Sequence, residues 1–286
     1  MKFFLFNWIH PLQKRTKEDV FTKEPSFMKI WNVIYPILLY YVAGSICTMC
    51  LAYCVQWISG QEGAWTGLAA GLRQHSTIVS AVVRALAMVA GVVAIYPIFK
   101  KEKLQISMPD SVKKDTVLLF LAGATTALCF NVLFSLLQIT GSSESYAEVA
   151  ERQFSLPLWA GLILYGMVSP LAEEMVFRGL VYNRLHRQFG LSFAVLGSSL
   201  LFGLYHGNVV QAVYGFILGL FIAILYERYG SFAVPVLLHS AANICVYVIS
   251  CNVLWQEMVM DWGVCVASGI LGTVFAVWML FRKKQV

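Results

Sequence analysis

Eight apolar runs, each close to the length that crosses a bilayer, decide what this chain can fold into. A helix needs roughly 17–25 predominantly apolar residues to cross the hydrocarbon core. Such runs occupy 31–58, 77–99, 117–139, 156–172, 191–206, 209–226, 231–251 and 262–281. The fifth and sixth are short and separated only by Gly207 and Asn208. With 59% hydrophobic and 13% charged residues, the chain has about half the charge of an ordinary soluble domain, where roughly 25% is usual. The pattern predicts an all-α fold: a polytopic transmembrane helical bundle of about eight spans.

Lys and Arg set the expected orientation, because cytoplasmic loops carry their excess. Lys2, Lys14, Arg15, Lys17, Lys23 and Lys29 precede the first run, and Lys100, Lys101, Lys103, Lys113 and Lys114 fill the second connection. Arg184 and Arg187 follow the fourth run, Arg228 the sixth, and Arg282, Lys283 and Lys284 the eighth. The other connections hold Arg73 and Arg152 among Glu62, Glu144, Glu148, Glu151, Glu257 and Asp261. Eight spans put every basic connection on one side. An integral multi-pass protein of the cell membrane with both termini cytoplasmic is the expectation. The net charge of +6 follows from this bias and calls for no nucleic-acid partner.

Three regions are expected: a basic cytoplasmic segment over 1–30, a three-helix membrane region over 31–139, and a more polar membrane region over 140–286. Phe3 to Ile9 is apolar but too short for a signal peptide and has its positive charges on the wrong side; it suits the membrane surface. Neither end carries a lipidation motif, and no repeat, low-complexity tract or soluble domain is evident. Seven cysteines, most of them inside runs, read as small packing residues. Arg84 is expected to snorkel or pair with a loop acid, and Asn131 to bond to a neighbouring helix.

Against this background three polar signals stand out: Glu173-Glu174 with Arg178, then His206, then His239 with Asn243. Ionisable groups at membrane depth are costly and normally face a bundle interior or wet cavity. Residues four apart share a helix face, so Glu174 and Arg178 are neighbours while Glu173 points elsewhere. His239 and Asn243 likewise share a face. Taken singly, each has a bland reading: a solvated ion pair at a helix end, a helix-end histidine, a hydrogen bond between packed helices. Taken together they supply a carboxylate that can act as general base, imidazoles that can accept a proton or bind a metal, and donors for an oxyanion. A transporter or a non-catalytic membrane scaffold would use such groups otherwise; neither inverted repeats nor paired broken helices support the former.

Glu-Glu-x-x-x-Arg at 173–178, Phe-x-x-x-His at 202–206 and His-x-x-x-Asn at 239–243, in that order on membrane helices, resemble the CAAX protease and bacteriocin-processing family, also called Abi. Its members are intramembrane endopeptidases and include the type II CAAX prenyl endopeptidase. The resemblance covers roughly 156–250 and leaves the first third untouched. It implies that Glu173 activates water with help from His206. It implies that His239 and Asn243 stabilise the oxyanion, and that Glu174 and Arg178 shape the site or hold substrate. A membrane-associated peptide or protein, CAAX-type or a bacteriocin or leader, would be the substrate; an immunity or scaffold protein of the same fold is the alternative. The cofactor is open: none, or one divalent metal such as zinc held by Glu173, His206 and His239. No His-Glu-x-x-His helix is present.

Depth is the difficulty. If the fourth span ends at 172, Glu173 lies near the cytoplasmic edge, and a straight fifth helix carries His206 some 20 Å away at ~1.5 Å per residue. The expectation is a shallow start near Leu191, an interfacial amphipathic helix over 175–188, and one shared cavity opening toward the cytoplasm.

Overall fold

The computed structural model describes residues 25–61 and 65–281. The basic segment before Pro25, Glu62 and the basic cluster at 282–284 lie outside the described residues. The described chain is helical with no strand. We number its helices α1 (Ser26–Ser59), α2 (Thr66–Gln74), α3 (Ser76–Lys101), α4 (Asp110–Leu136), α5 (Glu144–Phe154), α6 (Leu158–Phe189), α7 (Leu191–Tyr205), α8 (Val209–Tyr229), α9 (Ala233–Ser250), α10 (Val253–Val259) and α11 (Trp262–Phe281). Seven are long and apolar enough to cross a membrane: α1, α3, α4, α6, α8, α9 and α11. The eighth apolar helix, α7, has only 15 residues. Phe27, Ile46, Tyr53, Val93, Val117, Leu200, Val266 and Val274 point outward, as side chains facing lipid rather than water do.

The principal departure from the sequence expectation is α6. The fourth run was expected to stop at 172, with an interfacial helix after it. Instead α6 continues for 32 residues, about 48 Å at ~1.5 Å per residue, and residues 172–185 are buried without a break. Within α6's most apolar window 72% of residues are buried, against 6–44% for the other six spanning candidates. It is the central helix. Arg178, Asn183 and Arg184 look like a boundary in a hydropathy reading, but each finds hydrogen-bond partners inside the bundle. Asn183 Nδ2 donates to the Arg178 carbonyl at 2.6 Å and to Tyr226 Oη at 3.1 Å. Tyr182 Oη donates to Glu227 Oε2 at 2.6 Å.

Gly190 (φ +88°, ψ −179°) joins α6 to α7; that backbone region is essentially glycine-only. The chain reverses there, and this resolves the depth problem. Glu173 lies 17 residues before Gly190 and His206 lies 16 after it, so the two climb to similar heights. Gly207 (φ +76°) then turns the chain into α8, whose N-terminus is capped by Asn208 Oδ1 accepting from the Gln211 amide at 2.9 Å.

One end of the bundle is stitched by ionic and polar contacts between helix ends. Arg184 Nε donates to Glu102 Oε1 at 3.0 Å, Arg187 pairs with Glu102 Oε2 at 2.7 Å, and Arg184 Nη1 reaches the Asn32 carbonyl at 2.6 Å. Tyr229 Oη donates to Asp115 Oδ2 at 2.7 Å, and Arg228 Nε to the Leu280 carbonyl at 3.2 Å. These contacts place the start of α1 and the end of α11 at this same basic end.

Small residues let the helices approach closely, as is usual where lipid supplies no hydrophobic drive between them. A side chain at Gly123 on α4 would collide with the Leu238 carbonyl of α9, and one at Gly91 on α3 would come within 2.6 Å of the Tyr40 ring on α1. The cysteines are all free, and Cys50 and Cys54 are exposed on α1.

Gly123→Val should therefore force α4 and α9 apart. Overpacking costs about 1–3 kcal/mol, and a backbone carbonyl cannot yield as a side chain does. Thermal unfolding in detergent should show a clear loss for Gly123→Val and almost none for Gly71→Ala, where nothing lies within 4 Å.

Candidate active site

Glu173 and Glu174 occupy the short α-helical stretch Ser169–Glu174, flanked by wider π-helical turns over Leu164–Val168 and Met175–Tyr182. Pro170 explains the first. It lacks an N–H, and its ring crowds the carbonyl four residues back; a π-turn relieves both. Such turns are frequent at functional sites. The two adjacent carboxylates diverge into separate surroundings.

Glu174 points into the core. Its Oε1 accepts from Arg178 Nη1 at 3.0 Å and from His239 Nδ1 at 2.8 Å, and Glu174 and Arg178 are fully buried. Arg178 Nη2 donates to the Gly219 carbonyl at 3.0 Å, and the guanidinium carbon lies 4.7 Å from the Phe202 ring centroid. Gly219 is required by this approach: a Cβ there would lie 3.2 Å from Arg178 Nη2.

Glu173 points the other way, into a cavity of about 340 Å³ also lined by Ser169, His206, His239 and Asn243. Ser169 Oγ donates to Glu173 Oε1, and Glu173 Oε2 lies 3.8 Å from His239 Nε2. His206 Nδ1 donates to the Phe202 carbonyl at 2.9 Å, which leaves its Nε2 as the acceptor in the neutral ring. His239 Nδ1 donates to Glu174, so its Nε2 is the atom turned toward Glu173. Asn243 Nδ2 donates one hydrogen to the Tyr165 carbonyl at 2.9 Å; an amide has a second to give. Phe202 is the hub: both imidazoles stand edge-on to it, with centroids 5.0 Å away for His206 and 5.4 Å for His239.

The six residues of these polar signals thus fall into two groups. Glu173, His206, His239 and Asn243 line one cavity, and Glu174 and Arg178 sit behind its wall, tied to it through His239. The cavity does not lead toward the basic end, as the sequence reading had it. Its lining runs through Thr140, Tyr146, Val149, Ala150 and Gln153, in the connection from α4 to α6 at the opposite end. The buried half-helix 175–185 explains this, because with Phe99, Phe202 and Phe232 it fills the basic side below Glu173.

Glu173, His206 and His239, the residues that would hold a metal if one is used, line the same cavity, though among the described residues no group of three or more His, Cys, Asp or Glu stands in an arrangement that could hold a metal ion. Several participants went unread. Tyr165, Ser169 and Glu173 recur at intervals of four, a stripe that spacing alone could have shown. The Gly219 carbonyl has no sequence signal, since its role depends on α8 crossing α6.

Fold and site define a class: a polytopic helical membrane protein with a buried Glu–Arg–His unit backing a carboxylate- and imidazole-lined cavity. Residues 155–245 match the family described as type II CAAX prenyl endopeptidase Rce1-like. It is similar to "Putative membrane peptidase YdiL" of Bacillus subtilis (strain 168), 26% identical over 174 residues, or 59% of this chain and 70% of that protein. No solved structure matches significantly.

Removing one partner from a buried ion pair leaves an uncompensated charge and costs about 3–5 kcal/mol. Arg178→Met should lower the unfolding temperature in detergent markedly. The double variant Glu174→Gln with Arg178→Met should regain part of that loss.

Proposed function

We propose that the protein is an intramembrane endopeptidase in which Glu173 activates a water to cleave a peptide bond within the bilayer. The observation that carries this reading is the divergence of the two glutamates: one is locked into an ion pair, the other is presented to a cavity beside two imidazoles. A separation of 3.8 Å between Glu173 Oε2 and His239 Nε2 is one that a single water bridges.

The remaining roles follow from the hydrogen bonds. His206, its Nδ1 proton committed to Phe202, offers Nε2 to the same water and assists its deprotonation. Attack on the substrate carbonyl creates an oxyanion, which needs donors already in place. Asn243 supplies its second amide hydrogen. His239 supplies Nε2–H in its doubly protonated form, its ring held in place at Nδ1 by Glu174. Arg178 in turn holds Glu174 in position. Collapse of the tetrahedral intermediate expels the amine, which takes a proton from Glu173. No step requires a metal, and the catalytic type proposed is glutamate.

The cavity walls include Met88, Phe134, Phe154, Leu218 and Val246 and suit an apolar peptide segment. With the basic end cytoplasmic, the substrate enters from the opposite, non-cytoplasmic side.

Three measurements test this reading. Glu173→Gln should reduce cleavage of a membrane-peptide panel at least ~10²-fold, the typical contribution of a general base, without lowering the unfolding temperature. If Glu173→Gln keeps full activity, the assignment fails. Activity should survive 1,10-phenanthroline and EDTA; abolition restored by zinc would make the enzyme a metalloprotease. Reporter fusions should read cytoplasmic at Lys101 and Val286 and external at Ser145, and the reverse pattern would move substrate entry to the cytoplasm.

A further inference from the structure

Arg84 lies on α3, outside the segment that matches the family, and none of the roles above uses it. It stands eight residues after Ser76, about 12 Å along the helix at ~1.5 Å per residue, between Val82, Val83, Ala85 and Leu86. It neither snorkels nor pairs with a loop acid. It turns into the cavity, whose lining it shares with Glu173, His206, His239 and Asn243. Nη1 donates to Tyr165 Oη at 2.8 Å, and the guanidinium carbon lies 6.0 Å from that ring's centroid.

A phenol is neutral and does not compensate a cation. Lys113, Arg152, Arg178, Arg184 and Arg187 stand in ion pairs, and Arg84 pairs with no carboxylate among the described residues. Glu173 shares the cavity but is bonded by Ser169 and turned toward His239. A guanidinium carries five N–H donors in a planar fork, one of which Tyr165 uses. The fork matches a carboxylate bidentately. Asn131 and Gln153 add side-chain amides to the same lining.

We propose that Arg84 is an anion-reading subsite that binds a carboxylate of the substrate peptide and so positions the bond to be cut. Tyr165 couples the two: its hydroxyl accepts from Arg84 while its carbonyl accepts from Asn243. A carboxylate on Arg84 is therefore held about one tyrosine length from the oxyanion donor. The positioning role rests on the peptidase reading; the anion site rests on Arg84 alone.

The test measures binding, so it does not require turnover. Full-length protein carrying Glu173→Gln is titrated in detergent with three fluorescein-labelled apolar decapeptides. They are identical except for a free C-terminal acid, a C-terminal amide, and an amide with one internal Asp. Short-chain phosphatidylglycerol and phosphatidylcholine serve as competitors. A charge-assisted hydrogen bond should favour one anionic peptide over the neutral amide at least ~10-fold. Arg84→Gln should abolish that preference, and Arg84→Lys should keep part of it. Preference for the acid peptide assigns the subsite to a chain terminus, and preference for the Asp peptide assigns it to a side chain. Equal binding of all three peptides, a preference that survives Arg84→Gln, or displacement by phosphatidylglycerol without any peptide preference overturns the proposal. If the preference holds but unsubstituted protein cleaves none of the peptides, the peptidase reading is what has failed.

Discussion

Everything at the centre of this molecule depends on how one buried carboxylate is shared. Glu174 Oε1 receives both Arg178 and His239, which joins α6 to α9 at the depth where neither could keep a lone charge. Burying an ion pair is rarely a gain in stability over an apolar pair of similar size. Its value here is geometric. It fixes the ring plane and tautomer of His239, and Arg178 carries the constraint on to Gly219 of α8 and, by stacking, to Phe202 of α7. Four helices are brought into register by one guanidinium and one carboxylate, and the cavity is what remains between them.

The wall opposite Glu174 is made differently. Tyr165, Ser169 and Glu173 form a stripe along α6 that faces open space, and their partners come singly: Arg84 from α3, Asn243 from α9, Ser169 from within the helix itself. A rigid half and a loosely bonded half thus share one helix. The π-turns on either side of Ser169–Glu174 allow adjacent residues to serve both.

Much of this was legible in the sequence. The separation of Glu173 from Glu174 follows from a helical step of about 100°, and the Glu174–Arg178 contact from a spacing of four. The helical membrane class follows from hydropathy. What failed was depth. Hydropathy treats Arg178, Asn183 and Arg184 as an exit from the membrane, because it cannot know that Glu174, Tyr226, Glu102 and several carbonyls await them. The end of α6 was therefore set too early, and the direction of the cavity reversed with it. Arg84 was misread for the same reason: a cation on an apolar run is assigned to the membrane edge, whereas its partner Tyr165 and the cavity it lines were inside the protein.

The length and polarity of α6 also bear on how the protein is made. A segment carrying Glu173, Glu174, Arg178, Asn183 and Arg184 cannot rest in lipid alone, since single charges near a helix centre cost about 2.5–3.5 kcal/mol each even on insertion scales. Glu174 and Arg178 pair with each other within α6, but their further hydrogen-bond partners, His239 and the Gly219 carbonyl, lie on α9 and α8, which leave the ribosome later. During synthesis α6 must wait beside α1 and α3, sheltered but unsatisfied, until its downstream neighbours arrive. Membrane integration and tertiary assembly are then one event for this helix, and substitutions at His239 or Gly219 reach back to impair the insertion of a segment made before them.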